Sequence, residues 1–181
     1  MKKYKTARES RLSITELMVP AHSNFGGKIH GGHILSLMDQ IAFACASKHS
    51  QRYCVTASVN RVDFLHPVEV GELLTLKASI NYTGRTSMVV GVRVESQHVT
   101  TGKKRHCNSS YFTMVAKDEN GSSTPVPGLL IQDDQGVRRF ARSKFRKEAA
   151  FKRDTQFDES TFNVEDYLQH LSKENVQISL K

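Results

Sequence analysis

The chain has 181 residues, of which 38% are apolar and 24% charged, so the composition suits one globular domain with a tail and excludes a disordered protein. Its formal net charge of +8 favours an anionic partner such as nucleic acid, an anionic membrane or a phosphate-bearing small molecule. No apolar run reaches the length of a membrane span, and the basic N-terminus lacks the apolar stretch of a signal peptide. The three cysteines form no CxxC pair, so we expect neither a zinc site nor a disulfide framework, and a cytoplasmic location.

Taken in chain order, the sequence predicts an α+β fold. Residues 11–19 have the composition of a short strand that ends at Pro20, and a glycine-rich segment leads into an apolar helix over about 32–49. Four stretches rich in β-branched residues follow, with turn residues between them: 54–65, 72–84, 87–99 and 104–118. We therefore predict one antiparallel sheet with these four strands in a meander, around one buried helix.

One carboxylate interrupts the apolar helix. Asp39 has Leu35 and Phe43 four residues before and after it, so the helix offers it no cation at these positions. Burying an unpaired carboxylate costs several kcal/mol. Either Asp39 lies on a narrow polar strip with Ser36 and Gln40 and faces water, or it points into a cleft as a base or nucleophile.

Glycines crowd the chain just before this helix. Gly31 and Gly32 lie at its N-terminus, where the first N–H groups lack partners and the helix dipole is positive. Such an end can polarise a carbonyl and hold an oxyanion. Asp39 lies seven residues beyond Gly32, about 10 Å along the helix axis. The alternative reading of the glycines is an ordinary loop.

Other catalytic motifs are missing from the sequence. His30 and His33 are three residues apart and could hold a metal, but no HExxH or third clustered ligand accompanies them, so we expect no metal. The sequence also has no GxSxG, no P-loop and no GxGxxG after a strand. Catalysis by a serine triad and nucleotide hydrolysis are therefore unsupported.

Four segments together resemble the hotdog-fold acyl-CoA thioesterases, in particular the YciA-like and cytosolic acyl-CoA hydrolase branch. The resemblance covers roughly residues 8–130 and is carried by HSNFGGKIHGGHILSLMDQIAFACASKH, VTASVNRVDFLHPVEVGELL, YTGRTSMVVGVRV and YFTMVAKDENGSSTPVPGL. It implies a long antiparallel sheet wrapped around one central helix, with active sites at a dimer interface. By position, Asp39 resembles the catalytic helix aspartate, and Asn24 resembles the loop asparagine that works with it from the opposite subunit.

The resemblance also implies the chemistry. An acyl-CoA thioester would be hydrolysed to free fatty acid and coenzyme A, with its carbonyl oxygen at the N–H of Gly32 or a neighbour. Asp39 would act either as general base or as nucleophile. No cofactor is expected, because coenzyme A is part of the substrate. The turn of Gly84, Arg85, Thr86 and Ser87 is placed near the coenzyme A.

A second basic cluster is a candidate for the 3′-phosphate of coenzyme A. It comprises Lys103, Lys104 and Arg105, in the hairpin that follows the 87–99 strand. The equally simple reading of this cluster is a solvated turn.

Two other functions compete with hydrolysis. A non-hydrolytic acyl-CoA-binding regulator could use the basic stretch 138–153 to contact nucleic acid, but no helix-turn-helix pattern precedes the domain. A hotdog dehydratase would want a histidine–glutamate pair, whereas the helix position here is Asp39. The Asn24/Asp39 pair favours an enzyme with no nucleic-acid partner.

The last fifty residues are predicted to be an appendage. We predict a hotdog domain over 8–130 and a charged, helical extension over 131–181, with helices at 138–153 and 163–175 and Asn163 as the N-cap of the second. The 87–94 strand is apolar on both faces, which predicts cover on both. With one face covered by the helix, we expect another subunit on the other, in a homohexamer built as a trimer of edge-paired dimers.

Overall fold

The computed structural model describes residues 3–156, 163–171 and 174–179. The chain forms two compact units, Met1–Ser143 and Lys144–Lys181. Among the described residues, no helix is both long and apolar enough to cross a membrane. The predicted division into 8–130 and 131–181 as functional regions stays a prediction.

The fold is the predicted α+β arrangement, an antiparallel sheet around one central helix with helices in the tail. The five-stranded sheet has the order β2-β4-β5-β6-β3, and β1 pairs with β7 in a parallel two-stranded sheet. In chain order the elements are β1 Tyr4–Thr6, α1 Ala7–Ser10, β2 Leu12–Leu17, a 3₁₀ turn Pro20–His22, α2 Gly31–Ser50, β3 Tyr53–Val59, β4 Glu72–Thr83, β5 Ser87–His98, β6 Lys104–Lys117, β7 Gly128–Leu130, α3 Asp134–Gln156 and α4 Val164–Leu171.

The core lies between α2 and one face of the five-stranded sheet. Side chains of α2 such as Met38, Ile41 and Ala42 are fully buried, as the all-round apolar pattern predicts. Apolar residues alternate with polar ones along β4, which places Leu74 and Leu76 on the same inner face. Each fully buried leucine or isoleucine contributes about 1.5–3 kcal/mol of hydrophobic stabilisation.

The C-terminal end of α2 is held by a buried polar cluster. The ammonium of Lys5 donates to the carbonyl of His49 at 2.8 Å, which places a cation at the negative end of the helix dipole. Nε2 of His49 lies 3.2 Å from the carbonyl of Pro127, and Nδ1 lies 3.2 Å from the hydroxyl of Ser10. Because a carbonyl only accepts, Nε2 carries the proton and Nδ1 accepts from Ser10. Burial lowers the pKa of His49, and the nearby Lys5 also lowers it.

This cluster makes the stability of the fold depend on pH. The pKa of His49 is depressed in the fold relative to an exposed histidine, so the unfolded chain binds the proton more readily. Stability is therefore fully present above about pH 6.5 and is lost as the pH falls through the folded pKa. We expect His49→Gln to flatten this slope in urea-unfolding midpoints measured between pH 7.5 and 5. An equally steep slope in His49→Gln would contradict the prediction.

The predicted four-strand meander is right for the last three strands and wrong for the first. β4, β5 and β6 are consecutive antiparallel neighbours, but β3 pairs with β6 at the far edge of the sheet. The long connection after β3 continues beside β6 in the same direction and does not turn directly into β4. The N–H of Asn60 donates to Tyr111 and that of Leu65 to Cys107, so residues 60–65 continue along β6 without forming the predicted strand.

Three short elements near the two ends of the first compact unit have no periodic signal in the sequence. β1, α1 and β7 span only three, four and three residues, too few to show a period. Both helices predicted in the tail are present, as α3 and α4. The side-chain oxygen of Asn163 accepts from the N–H of Glu165 at 3.2 Å, which is the predicted N-cap contact.

The outer face of the sheet is partly covered by the chain itself. Val89 and Tyr82 are paired across β5 and β4, outside the inner core cluster. The ring of Phe140, from the first half of α3, lies 4.8 Å from that of Tyr82 between centroids. α3 therefore supplies part of the cover, and the expectation that another subunit covers part of this face stays a prediction.

Candidate active site

The carboxylate of Asp39 meets a hydroxyl from the neighbouring edge strand. Thr56 on β3 donates its Oγ1 hydrogen to Oδ1 of Asp39 at 2.6 Å. Asp39 is half-buried while the adjacent Met38 is fully buried, so the carboxylate stands at the rim of the core. Such a charge-assisted hydrogen bond fixes the orientation of the carboxylate. The structure therefore has an oriented carboxylate that a ligand can reach.

The N-terminus of α2 is capped by a histidine. Nδ1 of His30 accepts from the N–H of Gly32 at 3.0 Å, so in this structure the predicted oxyanion donor already has an acceptor. A Cβ on Gly31 would lie 3.3 Å from the ring of Phe64, closer than ordinary contact. The glycine at 31 thus permits the chain beyond β3 to pack against the start of the helix.

The side chain of Asn24 holds the glycine loop in a turn. Its Oδ1 accepts from the N–H of Gly26 at 2.9 Å and of Lys28 at 3.2 Å, an Asx-type turn. Gly27 in this turn has φ of 73°, a left-handed conformation that favours glycine. No hydrogen bond joins Asn24 to Asp39 among the described residues. Within one chain, the two predicted catalytic side chains are therefore not linked by a hydrogen bond.

The turn predicted to contact coenzyme A is a tight, well-anchored hairpin between β4 and β5. The N–H of Gly84 donates to the carbonyl of Ser87 at 2.7 Å, and the carbonyls of Arg85 and Thr86 accept from Val126 and Ala116. The side chain of Arg85 is exposed. A rigid turn with an exposed guanidinium at its tip is suited to a phosphate.

The second basic cluster lies at the other end of the same strand. Lys103 and Lys104 are exposed, while Arg105 donates to the buried carboxylate of Glu72 at 2.5 Å. β5 separates this hairpin from the Arg85 turn, and its 12 residues span roughly 40 Å. One coenzyme A could contact both clusters only if different subunits supplied them.

Sequence reasoning missed Thr56. The segment CVTASV offers two hydroxyls, Thr56 and Ser58, and a register shift between them breaks simple alternation. The helix and strand that meet at Asp39 are 17 residues apart in the chain, so no local pattern marks the pair. The packing of β3 beside α2 is what brings the hydroxyl of Thr56 to Asp39.

The cysteines are unsuited to nucleophilic work. Cys45, Cys54 and Cys107 are free and buried. Burial raises the pKa of Cys45 to about 12, so its thiol stays protonated near neutral pH. The carboxylate of Asp39 thus remains the candidate reacting group.

Comparisons with known proteins show the family of the chain. Residues 26–103 match the family model of the thioesterase superfamily. The chain is 43% identical to protein VdlD of Helicobacter pylori, over 79% of this chain and 82% of that protein. It is 33% identical to the Bacillus subtilis protein named uncharacterized acyl-CoA thioester hydrolase YkhA, over 72% of this chain and 76% of that one.

Solved structures extend the likeness to the fold. An apo-hexameric acyl-CoA thioesterase superposes with a TM-score of 0.81 and 39% identity, over 84% of this chain and 97% of that one. The Staphylococcus aureus acyl-CoA hydrolase was solved with butyryl coenzyme A, coenzyme A and coenzyme A disulfide. It superposes with a TM-score of 0.78 and 29% identity, over 94% of this chain and 99% of that one. Three further structures of that enzyme have alanine in place of an asparagine, a threonine and an aspartate.

Sheet, helix and carboxylate together define a hotdog-fold thioesterase. The chain belongs to the thioesterase superfamily and, within it, to the acyl-CoA thioester hydrolases.

Proposed function

We propose that this protein hydrolyses acyl-CoA thioesters to a free fatty acid and coenzyme A at a site centred on Asp39. The observation that carries the proposal is the 2.6 Å hydrogen bond from Thr56, which orients a half-buried carboxylate on an otherwise apolar helix. Asn24 of the partner subunit completes the site. The reaction needs no cofactor, because the thioester is already activated.

The substituted residues of the Staphylococcus aureus enzyme support this assignment. Its asparagine, aspartate and threonine are separated by fifteen and then seventeen residues. Asn24, Asp39 and Thr56 have the same residue types, order and spacing here. The match adds Thr56 to the two residues that the sequence singled out.

In the proposed reaction, the carbonyl carbon of the thioester lies beside Asp39. As general base, Asp39 takes a proton from water while the water oxygen bonds to the carbonyl carbon. The developing oxyanion is held by the N–H of Gly32 or Gly31 at the positive end of α2, and His30 must turn away to release Gly32. The C–S bond then breaks, and the proton passes to the sulfur of coenzyme A. As nucleophile, the Asp39 carboxylate would instead attack the carbonyl carbon; the C–S bond breaks, coenzyme A leaves as a thiolate that takes up a proton, and water then opens the resulting anhydride to give the fatty acid and the Asp39 carboxylate.

Edge pairing of two subunits would bring the missing asparagine to this site. β3, which carries Thr56, is an edge strand, and its ends expose Tyr53 and Val59 at 65% and 47%. Beyond it, Phe64 and Leu65 are also exposed. Pairing along β3 would cover these side chains and remove one open edge. We propose such a dimer, with three dimers in a homohexamer like the apo-hexameric relative.

In this assembly, different subunits would hold different parts of one coenzyme A. The Gly84, Arg85, Thr86 and Ser87 turn is proposed for one phosphate group, and Lys103 and Lys104 of a neighbouring dimer for another. This division follows from their separation along β5. We assign the activity to residues 8–130, and the three buried free thiols support a cytoplasmic location.

The test of the function is thiol release from a panel of acyl-CoAs of increasing chain length. We expect turnover with at least one member and loss of turnover in Asp39→Asn. Acyl-CoA binding without thiol release from any member would overturn the proposal and favour the non-hydrolytic regulator.

Thr56→Val is expected to lower kcat about 10- to 100-fold, because it removes one hydrogen bond to a charged group while keeping the shape of the side chain. Thr56→Ser keeps the hydroxyl and serves as the matched control, with a smaller loss expected. Both variants are compared by kcat and by thermal unfolding. Equal activity of Thr56→Val and wild type would remove the hydroxyl from the mechanism.

A further inference from the structure

Three potential metal ligands converge beside the glycine loop. They are Glu16 on β2, His22 in the 3₁₀ turn and His33 in the first turn of α2. Oε1 of Glu16 lies 3.5 Å from Nε2 of His33 and 3.8 Å from Nδ1 of His22. All three ligand atoms lie within 4.8 Å of one another.

Nδ1 of His22 and Nε2 of His33 are buried from water, and neither has a hydrogen-bond partner in the described part of the chain. Their distances to Glu16 exceed the usual range for a hydrogen bond. A buried polar atom left without a partner is costly, and two such atoms that face one carboxylate are unusual. A cation between them would satisfy both nitrogens and the carboxylate at once.

We propose that Glu16, His22 and His33 form a binding site for a divalent first-row transition metal of the zinc class. Two imidazoles and a carboxylate suit zinc and its neighbours better than calcium or magnesium, which prefer oxygen ligands. Zinc bonds of about 2.0–2.1 Å imply ligand atoms roughly 3.3 Å apart in tetrahedral geometry. The two distances to Glu16 exceed this by a few tenths of an ångström.

Small side-chain rotations would complete the geometry. The rings of His22 and His33 are stacked, with centroids 3.8 Å apart and planes inclined by 22°. Each ring has one nitrogen within 3.8 Å of the same oxygen of Glu16. Small rotations about the side-chain bonds would shorten these two distances to those of a zinc site.

The proposed metal would act on the loop and not in the reaction. His22 and His33 flank the loop that carries Asn24, and the carbonyl of His22 already accepts from the N–H of His30 at 2.8 Å. An ion would fasten both ends of this loop to β2. The histidine pair read in the sequence, His30 and His33, is divided here, because Nδ1 of His30 caps Gly32.

Metal binding is tested on the full chain after treatment with a chelator and dialysis. We expect one zinc ion per chain and a thermal midpoint raised by about 5–10 °C when free zinc is a hundredfold above Kd. Cobalt should produce a visible absorption band typical of a tetrahedral site. These readouts do not depend on thioesterase activity, so the metal site and the proposed function can fail separately.

Variants decide which residues bind the ion. Glu16→Gln, His22→Gln and His33→Gln are each expected to weaken zinc binding at least about tenfold, as loss of one ligand should. His98→Gln, at an exposed histidine of the β5–β6 hairpin, is the matched control and should bind like wild type. Circular dichroism without metal checks that each variant folds. If one of the three ligand variants does not fold, the zinc affinities of the other two test the proposal. Absence of stoichiometric zinc binding by wild type, or binding unchanged in the folded ligand variants, would overturn the proposal.

Discussion

Asp39→Asn is expected to lower kcat on acyl-CoA by at least about a hundredfold, the loss typical of removing a general base. The amide has the same shape as the carboxylate, and its oxygen can still accept from Thr56, so the local geometry is retained. What is lost is the ability to take a proton from water or to attack the thioester. Because α2 packs through Met38 and Ile41 and not through Asp39, the fold should be intact.

The measurement is thiol release under saturating acyl-CoA, together with the thermal midpoint of each variant. Asp134→Asn makes the same chemical change at the start of α3 and is the matched control, with activity expected near that of wild type. A loss of kcat without a loss of substrate binding would separate catalysis from affinity. Near-wild-type turnover by Asp39→Asn would exclude this carboxylate from the mechanism.

The core architecture could be predicted because it rests on repeated local signals. Alternation in β4 and β5 and the all-apolar surface of α2 each persist over several turns or strand pairs, so burial imposes them on the sequence. Asp39 could be singled out in the sequence because it is a carboxylate within this strongly apolar helix. We predicted β3 beside β4 because strands that are neighbours in sequence usually pair. The long connection between them has no sequence feature that indicates the observed pairing of β3 with β6.

The missing parts of the site depend on contacts between distant segments. Thr56 becomes recognisable only when β3 lies beside α2, and the Glu16, His22 and His33 cluster joins three separate elements. Sequence spacing drew attention only to His30 and His33, for which we expected no metal, and in the structure Nδ1 of His30 accepts from the N–H of Gly32. The two basic clusters are recognisable in the sequence from their Lys and Arg residues. That they lie at opposite ends of β5 follows from the pairing of β5 with β4 and β6.

Asn24→Ala is also expected to be inactive by itself, and mixing it with Asp39→Asn should restore activity. The basis is that no hydrogen bond joins Asn24 to Asp39 among the described residues of one chain, while Thr56 lies on an edge strand suited to pairing. A hybrid dimer would have one site with both residues intact and one with neither. Random exchange makes half of the dimers hybrid, so recovery should approach about a quarter of wild-type activity.

The mixing experiment needs proof that subunits exchange. Each variant is given a different affinity tag, the two are co-expressed, and hybrids are isolated by passage over both resins. Because the protein is proposed to be a hexamer, passage over both resins isolates hexamers that contain both variants; about half of their dimers are hybrid, so about a quarter of wild-type kcat per chain is expected. Mixed hexamers of wild type and a chain that carries both substitutions are the matched control. Sites shared across the interface leave them about a quarter of the activity, from dimers of two wild-type chains, whereas sites within single chains leave about half. About half of wild-type activity in that control and none in the mixed variants would show that each site is built within a single chain.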